Sequence, residues 1–112
     1  MLMKIRVFQI DHEKDEKNLA FRDYRTAIAK NGRIDESIYK QVYGGEVPCR
    51  TLEEVYALCN GEHKPLGYIA ESMSVSNVIE VTDDVNHCCF YVDSVGFKMV
   101  DFDTSKADRS DM

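Results

Sequence analysis

The chain has 112 residues, of which 44% are hydrophobic and 30% charged, and a formal net charge of −6. That is one domain by length, able to build a single core without disulfide or metal staples. No apolar run approaches the ~20 residues of a membrane span. The start, MLMKIRVFQI, has no apolar stretch of signal-peptide length, so a mature cytoplasmic protein with reduced cysteines is expected.

Charge is unevenly spread. Residues 1–50 hold ten Lys/Arg against eight Asp/Glu, a balance of +2; residues 51–112 hold four against twelve, a balance of −8. A segment this acidic repels a phosphate backbone and attracts a basic surface.

Residues 3–10 alternate Ile5, Val7 and Ile10 with Lys4, Arg6 and Gln9, the period of a strand. Residues 11–18 are a charged loop, and Leu19–Phe21 reads as a short extended piece. Tyr24, Ala27 and Ile28 fall at helical spacing, with Lys30 in the last turn and Gly32 as the stop. Asp35 is placed to cap a brief helical turn. IYKQVY fits strand or helix, and Gly44, Gly45 and Pro48 are expected to close it. Thr51 with Glu54 forms a capping box for a helix over 51–61, whose Leu52, Val55, Tyr56 and Cys59 share a face. After a loop at 62–71 come strands at about 78–82, 87–92 and 97–102, joined by the turns TDDVN and DSVG. The tail, about 103–112, is polar and expected to fray. The expected fold is α+β: one domain over residues 1–112, a small antiparallel sheet of about five strands ending in a three-strand meander, packed with two helices.

The stretch SMSVSNVIEV, residues 72–81, invites a catalytic reading. It lacks the G-x-S-x-G elbow, and nothing in sequence places His12, His63 or His87 as a base beside Ser72, Ser74 or Ser76. The hydroxyls are read as satisfying backbone groups at a turn before a strand. A zinc site drawn from Cys59, His63, His87 and Cys88 lacks a C-x₂-C knuckle, so no metal and no cofactor is expected. Cys88 and Cys89 are neighbours in a strand and point to opposite faces, which rules out a bond between them. TDDVN lacks the glycine and distal glutamate of a calcium loop. The remaining constellation is acidic: Glu80, Asp83, Asp84, Asp93, Asp101 and Asp103 lie on three consecutive strands and their turns. If the strands are neighbours, these carboxylates form a negative patch able to pair with arginines of a partner.

Three pieces of the second half carry a family likeness: Thr51–Tyr56, Ser72–Ile79 and Tyr91–Phe97. With IYKQVYGGEV upstream, they resemble the YodL-like domain family, and the likeness spans most of residues 19–100. Three positions depart from the family pattern. Ala70-Glu71 stands where the family has Gly followed by His or Arg, and Asn77 where it has Asp. The resemblance implies no catalysis. It implies a setting among accessory proteins of conjugative and phage-like mobile elements, a company in which small acidic proteins block host defence enzymes. The expectation is a non-enzymatic inhibitor of a host defence protein, at its most specific an anti-CRISPR that binds a Cas9-type nuclease and competes with PAM and target DNA through the acidic patch. The alternative is a small nucleic-acid-binding module that uses Lys4, Arg6, Arg22, Arg25, Lys30 and Arg33.

Overall fold

The computed structural model describes residues 2–61, 72–82 and 87–109. The chain is α+β. Strand β1 (Met3–Ile10) leads through a 3₁₀ turn (His12–Lys14) to helix α1 (Tyr24–Asn31). A second 3₁₀ turn (Glu36–Ile38) leads to β2 (Tyr39–Val47) and helix α2 (Leu52–Cys59). Then come β3 (Val78–Thr82), β4 (His87–Val92), β5 (Phe97–Val100), a 3₁₀ turn (Thr104–Lys106) and the two-residue β6 (Asp108–Arg109). The sheet order is β5-β4-β3-β1-β2-β6. All pairings are antiparallel except β2 with β6, which is parallel. The expected meander is therefore present as β3-β4-β5, and it joins the rest of the sheet through β3 against β1.

Both faces of the sheet are covered, by different helices. Ile5, Val7, Val42, Val47, Ile79 and Val92 face α2, where Val55 and Cys59 are fully buried. Phe8, Ile10, Tyr39, Val78, Cys89 and Tyr91 face α1 through Ala27. Burial on both faces is why β3 reads as a run, Val78-Ile79, and not as strict alternation. Burial also pushes the Cys89 thiol up to about 11, as expected of an inert core thiol.

The caps follow from sequence. Asp23 accepts from the Thr26 N–H at the start of α1, and Gly32 ends it at φ 80, a left-handed stop that glycine adopts without a Cβ clash. Thr51 caps α2 by accepting from the Glu54 N–H, while the Glu54 carboxylate accepts from Arg50 N–H and not from Thr51.

Three expectations are corrected. Gly44 and Gly45 do not close the strand: β2 runs through them, and the Tyr43 hydroxyl lies 2.7 Å from where a Cβ on Gly45 would sit. Val42 is the extra residue of a β-bulge, since Val7 pairs with Tyr43 and Phe8 with Gln41. Leu19–Phe21 is not extended, because Phe21 has φ 67. The tail does not fray at 103. From β5 at one edge the chain crosses the α1 side of the sheet to β6 at the other edge. Phe102 pins this strap against Phe8 (ring centroids 5.2 Å) and Tyr39 (5.1 Å). Burying one such ring stabilises by about 2–3 kcal/mol, enough to hold a polar segment in place.

Candidate functional site

The serine stretch is a clamp. At the head of β3 the Ser76 N–H donates to Val92 O (2.9 Å), and the Val92 N–H returns to Asn77 O (2.8 Å). The Tyr39 hydroxyl donates to Ser76 O (2.7 Å), so Ser76, 1% exposed, is tied to two strands at once. Its backbone is left-handed at φ 86. A non-glycine residue held there costs about 1–2 kcal/mol, and here the surrounding hydrogen bonds offset that cost. The Asn77 side-chain oxygen accepts from Gln9 Nε2 (3.2 Å) and the Ser74 N–H (3.0 Å). An amide serves this turn as well as a carboxylate, and at 4% exposure it avoids burying a charge. The departure from the family's Asp therefore leaves the turn intact. Ser72 is exposed and Ser74 half-buried. The dimple between Gln9, His12, Phe21, Ser74 and Asn77 holds only about 10 Å³, room for a single water and not for a substrate.

What the clamp holds is the loop before α1. Asp15 accepts from the Leu19 and Ala20 N–H groups (2.7 and 2.9 Å). The Phe21 N–H donates to Ser76 Oγ (3.0 Å). The Tyr91 hydroxyl donates to Arg22 O (2.7 Å), and the Tyr24 N–H donates to Asp93 (3.1 Å). Ser76, Tyr91 and Asp93 all belong to the motifs that carry the family likeness. They converge on residues 21–24 from the turn before β3, from β4 and from the turn after it.

The six carboxylates expected to form a surface patch separate into three groups. Glu80 is corrected outright: it is 2% exposed and faces into the sheet, not toward a partner. Arg6 grips it with two hydrogen bonds, Nε to Oε1 (2.5 Å) and Nη2 to Oε2 (2.7 Å), and also reaches Thr104 Oγ1 (3.0 Å). β1 pairs Arg6 directly opposite Glu80, which makes the contact a cross-strand pair. Burial opposes ionisation of Glu80, yet the Arg6 hydrogen bonds and charge, with help from His87 and Thr82, hold its carboxyl below the usual value. Asp83 and Asp84 lie outside the described residues.

Asp93 and Asp101 lie beside α1, and Asp103 lies beside Glu36 in the turn that follows it. Asp93, half-buried, holds the N-terminal end of the helix through Tyr24 and also accepts from the Ser94 N–H. Asp101 is exposed and lines a groove of about 460 Å³ beside Tyr24, Ile28, Arg33 and Met99. Asp103 is exposed; its N–H donates to the buried Glu36 (3.1 Å), which Arg33 also grips at 2.6 Å. The Ser105 hydroxyl and N–H hold the Asp103 carboxyl below its usual value, so it is ionised at neutral pH.

The basic residues of the alternative reading divide as well. Arg6 is engaged with Glu80, and the Arg22 guanidinium donates to Asn18 O (3.2 Å). Lys4, Arg25, Lys30 and Arg33 are exposed. His63, one of the four zinc candidates, lies outside the described residues; Cys59 is fully buried against the sheet. Among the described residues no group of three or more His, Cys, Asp or Glu could hold a metal, and no helix is long and apolar enough to cross a membrane.

Sequence reasoning missed Phe21, a 57% exposed ring on a left-handed backbone. The available signal was an aromatic residue stranded between a charged loop and the cap Asp23, outside any hydrophobic period.

No curated protein and no solved structure matches the chain. A family model, the YodL-like domain, matches residues 4–102. Those bounds run from β1 to Phe102, taking in β1 to β5, the clamp and the ring that pins the strap, and leaving out β6. The match covers most of the chain, and the protein therefore belongs to the YodL-like domain family.

Proposed function

We propose that this protein is a non-enzymatic accessory protein of a mobile genetic element that inhibits a host defence system by binding one of its proteins. In its most specific form it is an anti-CRISPR that binds a Cas9-type nuclease and competes with target DNA. The observation that carries this reading is the placement of Asp101 and Asp103. Both are exposed carboxylates on a strap that Phe102 anchors, so they stand at fixed positions, Asp101 beside α1 and Asp103 beside Glu36. Fixed carboxylates pair with arginines and lysines of a DNA channel as phosphates do, at less entropic cost than a flexible tail.

The serine stretch supports the same reading from the other side. Its Ser76 and Asn77 groups are engaged with backbone, and its dimple is too small for a substrate. The nucleic-acid alternative loses Arg6 to Glu80, while Lys4, Arg22, Arg25, Lys30 and Arg33 stay exposed.

The test is a target-cleavage assay with a purified, guide-loaded Cas9-type nuclease titrated with this protein. Dose-dependent protection of target DNA supports the inhibitor reading; full cleavage at saturating protein defeats it. A filter-binding assay with DNA and RNA at low salt separates the alternative, since the inhibitor reading predicts no retention.

A further inference from the structure

The two edges of the sheet differ. At one, β6 lies along β2 and pairs with Lys40 and Gln41. At the other, β5 has a single neighbour, β4, among the described residues. The bonds around β4 show which groups of β5 point outward. The Val92 N–H and C=O bond to Asn77 and Ser76 on the β3 side, so neither turns to Phe97, which pairs with Val92. Bonded and unbonded pairs alternate along an antiparallel ladder. Lys98 and Val100 therefore bond to β4, while the N–H and C=O of Phe97 and Met99 point outward in the plane of the sheet. Such an edge is a template for a further strand. Met99 keeps it apolar, with its side chain 64% exposed.

A groove adjoins the same edge. The space of about 460 Å³ between α1 and β5 is lined by Tyr24, Ile28, Ile34 and Val100, each half-buried. A strand laid along β5 sends alternate side chains to the α1 side, where this groove lies. Val100 and Lys98 are the β5 residues on that side. Val100 packs with the core beneath α1, and the Lys98 amine lies over the Tyr24 ring, 5.4 Å from its centroid. Lys98 also selects the occupant. A second copy pairing through the outward groups of Phe97 and Met99 would set Lys98 opposite its own counterpart, two like charges at the closest cross-strand spacing. A carboxylate in that place makes an ion pair instead.

We propose that β5 takes up an extended segment of a partner protein as an added antiparallel strand. The segment carries an apolar residue opposite Val100 and, two residues later, an aspartate or glutamate opposite Lys98. The apolar side chain fills the groove against Ile28 and Ile34, the carboxylate meets the Lys98 amine, and the residue between them packs on Met99. Main-chain bonds to Phe97 and Met99 supply affinity, and the two positions on the α1 side supply the choice of sequence. This mode goes beyond the inhibitor reading and does not depend on it, since it calls for no basic partner surface.

The probe is a capped synthetic peptide, Thr-Thr-Ile-Thr-Glu-Thr-Thr, titrated into isotope-labelled protein and followed by backbone amide shifts. The shifts should centre on Phe97 and Met99, with Ile28 and Ile34 at the groove, and give a Kd of about 1 mM or tighter. The same peptide with lysine in place of glutamate should bind about fivefold more weakly, and Lys98→Glu should reverse that preference. Met99→Pro removes an N–H that β4 does not use, so peptide binding should be lost while the melting temperature holds. Should Met99→Pro melt lower, the Lys98→Glu reversal decides alone. Shifts absent up to about 5 mM peptide, or centred away from β5, overturn the proposal. Equal binding of the glutamate and lysine peptides by wild type overturns it too. A concentration-dependent dimer in sedimentation, lost in Met99→Pro, assigns the edge to a second copy and likewise overturns it. Nuclease inhibition is read separately, by the cleavage assay, so either reading can fail while the other stands.

Discussion

The head of β3 and the strap after β5 both present polar side chains, and the fold uses them in opposite ways. At the head of β3, Ser76 and Asn77 lie below 5% exposure; Ser76 is bonded by the Phe21 N–H and the Tyr39 hydroxyl, and the Asn77 oxygen by Gln9 Nε2 and the Ser74 N–H. On the strap, Phe102 is the buried group, while Asp101 and Asp103 remain in water. Glu80 sits between these cases. It belongs to the acidic row by sequence and to the interior by structure, because β1 brings Arg6 opposite it. Burial and the origin of the partner, more than residue type, separate groups that specify the fold from groups left for binding.

The largest expected effect breaks that middle case. Arg6→Ala leaves Glu80 buried without its guanidinium and should cost about 3 kcal/mol in chemical denaturation, the low end for a broken buried pair because Arg6 is itself partly exposed. Glu80→Gln should cost less, since Arg6 can turn to solvent.

A smaller effect sharpens the clamp. Ser76→Ala removes the acceptor for the Phe21 N–H and keeps the left-handed strain, so it should cost about 1–2 kcal/mol. Ser76→Gly loses the same bond but relaxes φ 86, and should cost less than Ser76→Ala. If glycine proves as costly as alanine, the backbone at Ser76 is not strained.

The pH dependence carries a definite sign. Glu80 has a folded value below its ordinary 4.5, so its contribution is complete above that pH and is lost as pH falls through the folded value. Asp23 and Asp103 are lowered as well and act in the same direction. Melting temperature should therefore be steady from neutral pH down to about 5 and fall below it. Glu80→Gln should flatten that fall.

Much of the fold was legible because local signals agreed. Gly32 marked the end of α1, Thr51 the start of α2, and the three C-terminal strands were bounded by turns. The Gly44-Gly45 pair misled because turn chemistry and a bulged strand use the same residues, and only the β1 pairing decides between them. The acidic row was legible as composition and not as surface: nothing within residues 78–82 says that Arg6, 74 positions away, will face Glu80. The clamp was legible as a turn, but its target, the Phe21 N–H, lies 55 positions upstream and is visible only once β3 and β4 are in place.

The smallest expected change in stability belongs to the most informative variant. Asp101→Lys should alter stability by about 0.5 kcal/mol or less, as exposed substitutions do, while Asp103, which caps the Thr104–Lys106 turn through Ser105, is left in place. The affinity of this variant for a guide-loaded Cas9-type nuclease, measured by titration beside wild type, tests the central claim most directly. The account predicts a loss of tenfold or more with melting temperature unchanged. Binding equal to wild type in that folded, charge-reversed protein would contradict it.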